Sequence, residues 1–122
     1  MTDAASGGAS GGARHAALAA GKWSSYSLVE QMGNIGSEVE RALRAVETGN
    51  PDRRDRALDR ALELFDLTAA DGRWHGGRRR EVLRAREYVC RVVFGGGALP
   101  GDADFLRRYF LQFAVAARVG RA

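Results

Sequence analysis

The chain has 122 residues, room for one domain, and is 45% hydrophobic, 28% charged and 8% aromatic. A single cysteine excludes a disulfide scaffold, and no apolar run approaches the roughly 18–20 residues of a membrane span. The formal charge is +4, and Lys22 is the one lysine among 19 basic residues, so the cationic chemistry is that of arginine. Such an Arg bias reflects a GC-rich genome before it reflects phosphate chemistry.

Residues 1–21 consist largely of Ala, Gly and Ser, with almost nothing to bury. They cannot offset an ordering cost of ~1–2 kcal/mol per residue, so the sequence predicts a disordered tail over 1–22 and a helical domain over 23–122. Arg14 precedes only a short Ala-rich patch around Leu18, not the roughly 7–15 apolar residues of a signal peptide. The expectation is a cytoplasmic protein without membrane contact.

Ser27-Leu28-Val29-Glu30 is a capping box, in which the Ser and Glu side chains satisfy each other's backbone amides at a helix start. Behind it Leu28, Met32, Ile35, Val39, Ala42 and Val46 recur at steps of three and four, one apolar stripe on a helix reaching about Thr48. Gly49-Asn50-Pro51 ends that helix and starts another, with Gly as C-terminal cap, Asn as N-cap and Pro at the first helical position. The second helix carries Ala57, Leu58, Ala61, Leu62, Phe65 and Leu67 to about Ala70, and a loop from Asp71 to Gly77 follows. The third spans about Arg78 to Phe94 on Val82, Leu83, Val89, Cys90 and Val93; Cys90 among valines reads as a buried thiol rather than a nucleophile. Gly95-Gly96-Gly97 breaks it, and Asp102 is the expected N-cap of a fourth helix. There Phe105, Tyr109, Phe110 and Phe113 span more than one face, so some ring must close the core or meet another subunit. Four helices of about 17–21 residues joined by short loops predict an all-α, antiparallel, up-and-down four-helix bundle. Gly33 and Gly36 in the first helix imply either close approach of another backbone or a ligand resting on that surface.

Several helical chemistries lack their residues. The histidines are His15, in the tail, and His75, in a Gly-rich loop. Neither completes a Glu-x-x-His di-iron pair, a zinc site or the Arg-and-His spacing of HEPN-type ribonucleases. Glu63-x-x-Asp66, extended by Asp59, is half of the paired acids that hold magnesium in helical pyrophosphohydrolases, and no Glu-x-x-Glu accompanies it. No catalytic residue, metal or cofactor is therefore expected; an acid-dependent hydrolase using Asp59, Glu63 and Asp66 is the weakest alternative.

Charge divides unevenly. Residues 27–71 hold ten acids and six Arg, net −4, whereas residues 72–94 hold seven Arg and two Glu, net +5. Arg78, Arg79 and Arg80 open the third helix, where cations oppose the helix dipole, and Arg80, Arg84 and Arg91 follow one side with Glu87 between. Guanidinium forks at such a place suit phosphate, so Arg78, Arg79, Arg80, Arg84 and Arg91 are the candidate nucleic-acid-binding residues. An acidic protein surface would serve them equally. Trp74 lies shortly before these arginines and no aromatic is interleaved among Arg78, Arg79 and Arg80, which argues against base stacking.

WSSYSLVEQMGNIGSEVERALRA, Trp23 to Ala45, resembles the opening of a family of short bacterial helical proteins, and RALELFDLTAAD, EVLRAREYVC and YFLQFAVAAR fit the same pattern. That resemblance implies a compact helical domain and no catalysis, with Glu38, Arg41, Asp66, Arg86 and Glu87 as interior-leaning polar positions. In size, charge and bundle shape the chain also resembles the basic helical accessory proteins of diversity-generating retroelements. The sequence thus predicts a non-enzymatic accessory protein that binds RNA or DNA through its arginines and forms a homo-oligomer. The alternative is a protein–protein assembly module that meets an acidic partner.

Overall fold

The computed structural model describes residues 21–95 and 99–121, and among them all regular structure is helical. Helix α1 is Leu28–Glu47, α2 Pro51–Ala69, α3 Gly77–Phe94 and α4 Asp102–Arg121, and residues 21–23 ahead of them are also helical. The expected tail over residues 1–22 lies outside the described residues as far as residue 20, Arg14, His15 and Leu18 included, as does the Gly96-Gly97 part of the glycine break, while Gly21 and Lys22 are helical.

Local chemistry sets the helix ends. Ser27 Oγ accepts from the Glu30 amide at 3.1 Å and Glu30 returns the bond to the Ser27 amide at 3.0 Å, the reciprocal pair expected. Asn50 Oδ1 accepts from the Arg53 amide, and Gly95, at φ 77°, closes α3 in the left-handed conformation that favours glycine. Asp102 departs from the expected role. It lies inside the first turn of α4, and its carboxylate accepts from the Leu99 amide and from the Tyr88 hydroxyl.

The core is built on α1, where Met32, Ile35, Val39, Ala42 and Leu43 are buried against Ala57, Leu58, Ala61 and Phe65 of α2. Val82, Val89, Val92 and Val93 of α3, Leu106 and Phe110 of α4, and Trp23 complete it. The α1 stripe does not run straight to its end: Val46 is exposed, and Leu43 and Ala45 take the buried places. An α-helix turns slightly short of the three-and-four rhythm, so a long stripe drifts around the axis. Of the aromatic residues on α4, Phe110 is buried, Phe113 and Tyr109 are half-buried, and Phe105 is exposed. Cys90 is half-buried beside the core rather than within it.

Polar side chains join the helices at specific heights. Glu38 of α1 accepts from Arg60 of α2 at 3.0 Å, Asp66 of α2 from Arg86 of α3 at 3.0 Å, and Glu40 of α1 from Arg107 of α4 at 2.8 Å. Arg107 also forks onto Glu47, which holds that carboxyl below its ordinary range. Glu38 is the most enclosed of these groups, whereas Arg41, Asp66 and Glu87 are exposed, so the interior-leaning set makes rim pairs at Glu38–Arg41 and Asp66–Arg86 rather than one buried network. At the end of α1 and α2 nearest Trp23, Gln31 is fully buried and fully bonded. It donates to the Trp23 carbonyl and to Asp71, and accepts from Trp74 Nε1, while Trp23 Nε1 donates to the buried Thr68. One amide thereby ties the turn before α1 to the loop after α2.

Candidate functional site

The five predicted arginines all lie exposed on α3, but they do different things. The Nε of Arg79 donates to the Ala69 carbonyl at 3.1 Å, at the C-terminal end of α2, where a cation also complements the helix dipole. Arg91 sits over the Tyr88 ring, its guanidinium carbon 5.2 Å from the centroid. Arg78, Arg80 and Arg84 have no carboxylate partner among the described residues. Seven other arginines are in ion pairs: Arg41, Arg44, Arg54, Arg60, Arg73, Arg86 and Arg107. The helix start beneath Arg78–Arg80 is also uncapped by any side chain, because Gly76 is the N-cap, at φ 60°. Backbone amides and unpaired guanidinium groups therefore share one end of α3.

Beside this face, α3 and α4 leave a groove of about 420 Å³ that the sequence did not reveal. Arg84 and Glu81 line it from α3 together with Tyr88, and Phe105 and Tyr109 line it from α4. The Tyr88 and Phe105 rings stack at 5.4 Å between centroids and 15° between planes, and Phe105 and Tyr109 at 6.5 Å and 18°. Both tyrosine hydroxyls are tied to acids, Tyr88 to Asp102 at 2.8 Å and Tyr109 to Glu81 at 2.7 Å. The bond to Asp102 raises the Tyr88 hydroxyl above its ordinary pKa, and burial does the same at Tyr109. Aromatic rings thus stand next to Arg84 and Arg91 in space, although Phe105 and Tyr109 belong to a different helix. Hydrophobic periodicity on α4 marks such rings only as core candidates.

The α1–α2 hairpin, acidic by count, is not acidic on every side. Arg41 and Arg44 of α1 face Arg53, Arg56 and Arg60 of α2 across one groove. Asp52, Asp55, Asp59, Glu63 and Asp66 are all exposed along α2, at spacings that place them on its outward side. Asp66 pairs with Arg86, and among the described residues no three acids stand close enough to hold a metal ion together, Asp59, Glu63 and Asp66 included.

Gly36 resolves one of the two readings of the α1 glycines. A Cβ there would lie 2.7 Å from the Phe110 Cβ, so α4 approaches α1 as closely as a missing side chain permits. Gly33 is less tight, with the Ala114 backbone at 3.7 Å. The chain matches no protein-family model, no curated protein and no solved structure. No helix among the described residues is long and apolar enough to cross a membrane.

Proposed function

We propose that this protein acts by binding rather than catalysis, as an antiparallel up-and-down four-helix bundle whose α3 face takes the phosphate backbone of RNA or DNA. The bundle reading is supported by polar contacts that join early α1 to the loop after α2, the end of α2 to the start of α3, and the end of α1 to early α4. The function rests on one observation: Arg78, Arg80 and Arg84 stand exposed, without acidic partners among the described residues, beside an uncapped helix start. An unpaired guanidinium near the positive end of a helix is locally unfavourable, and a phosphate relieves that repulsion while accepting paired hydrogen bonds.

Binding of this kind weakens steeply with salt, by about 0.9 log units of affinity per log unit of salt for each duplex phosphate contacted. Gel-shift titrations of RNA and duplex DNA at two or more salt concentrations test it. Arg80→Ala with Arg84→Ala should weaken all sequences equally and flatten the salt slope, since phosphate contacts carry no sequence information. Wild-type protein that ignores both nucleic acids at low salt refutes the proposal.

A second reading, self-association as an assembly module, is favoured by α4. Leu111, Val115 and Val119 recur every four residues and are 56%, 42% and 70% exposed, an apolar strip pointing away from the core. In that reading a charge on the strip, such as Val115→Glu, lowers the mass measured by light scattering and leaves nucleic acid irrelevant.

A further inference from the structure

The α1–α2 groove lies on the flank of α2 that meets α1, where Arg60 reaches Glu38. Asp66 and Ala69, which meet α3, occupy other positions around the same helix. The groove offers about 560 Å³ between Arg41, Arg44, Arg53, Arg56 and Arg60, and Thr48 also lines it. Ala45 and Ala57, small and buried, leave the space between these arginines open.

Three of the five guanidinium groups are held in place from α1. Glu38, whose side chain is 14% exposed, accepts from Arg41 at 2.8 Å and from Arg60 at 3.0 Å. Glu40 accepts from Arg44 at 3.0 Å and is shared with Arg107. Arg53 and Arg56 have no carboxylate within ion-pair distance among the described residues. Five cations are thus set against two carboxylates, one of them already shared, and like charges so gathered repel unless an anion joins them.

We infer that this groove binds a compact polyanion, a run of two or three adjacent phosphates, either as free polyphosphate or as the tail of a nucleoside triphosphate. Guanidinium forks match phosphate oxygens in pairs, and the Glu38 and Glu40 tethers reduce the ordering that binding would otherwise cost. The charge is concentrated in one groove rather than spread along a line, which suits adjacent phosphates better than an extended strand. The site uses none of the α3 residues, so it stands or falls independently of the nucleic-acid proposal.

Calorimetric titration of the full chain with sodium tripolyphosphate at low salt is the test, and saturable binding is expected. Arg53→Ala with Arg56→Ala should weaken it by about tenfold or more, the loss of two charge-assisted contacts. Circular dichroism should be unchanged, because both side chains lead away from the core. Arg78→Ala with Arg80→Ala should bind tripolyphosphate as the wild type does. A second arm distinguishes the sources: ATP and GTP binding alike with tripolyphosphate-like affinity identifies the triphosphate tail, and their failure assigns free polyphosphate. Absence of saturable binding at millimolar tripolyphosphate overturns the inference. So does wild-type affinity in the Arg53/Arg56 variant, or an equal loss in the Arg78/Arg80 variant.

Discussion

Replacing Gly36 by alanine should destabilise the protein, whereas the same change at Gly33, one turn earlier on α1, should stabilise it. Both glycines lie in a helix interior, where alanine is favoured by about 0.5–1 kcal/mol. At Gly33 the new methyl would meet the backbone of Phe113 and Ala114 at 3.7–3.8 Å, ordinary van der Waals contact, so the helix preference is gained without strain. At Gly36 it would lie 2.7 Å from the Phe110 Cβ and 3.1 Å from its Cγ. The Phe110 Cβ is fixed to its backbone and cannot swing aside, so α1 and α4 must separate. Overpacking of that kind costs about 1–3 kcal/mol, which leaves a net loss of up to about 2.5 kcal/mol after the helix gain. For a domain of this size that is a fall of about 4–8 °C in Tm per kcal/mol, against a rise of a few degrees for Gly33→Ala. Urea unfolding followed by circular dichroism measures both. Shifts of the same sign in the two variants would refute the close approach of α4 at Gly36.

Other substitutions probe other parts of the structure. Phe65→Ala removes a fully buried ring from the centre of the core and should cost about 3–5 kcal/mol, clearly more than Phe113→Ala at the half-buried edge; equal losses would contradict that ranking. Gln31→Leu strips partners from Trp74 Nε1, Asp71 and the Trp23 carbonyl together, so a loss of about 1–3 kcal/mol is expected, and a neutral result would mean that water replaces the amide. Arg73 donates to Asp71 at 2.7 Å and is the main cause that holds this carboxyl at about 2, against the upward push of burial. A depressed carboxyl stabilises the fold above its unfolded pKa, near 3.9 for a free Asp, and that stability is lost as pH falls toward 2. Asp71→Asn should therefore unfold less steeply with acid over that interval than the wild type, and parallel curves would rule the linkage out.

The starts of α1 and α2 and the end of α3 could be read from local sequence alone. Caps work within about four residues, so Ser27 with Glu30, Asn50 with Pro51, and Gly95 can be read without knowing what else surrounds them. The core positions of α1 and α2 were legible for the same reason, since a repeat of three and four marks one side of a helix whatever covers it. The direction of a helix face relative to its neighbours is a different matter, because it depends on crossing angles and approach distances set by packing as a whole. That is why Val46 turned outward while Leu43 turned in, and why Phe110 rather than Phe105 entered the core. It is also why a hairpin counted as net −4 carries five arginines along one groove: a sum over sequence discards the side of the helix on which each charge stands. The stacking of Tyr88 on Phe105 and the three hydrogen bonds of the Gln31 side chain join residues far apart in the chain. Only the tertiary structure brings such partners within reach, because hydrogen bonds and ring contacts act over a few ångströms of space, not along the chain.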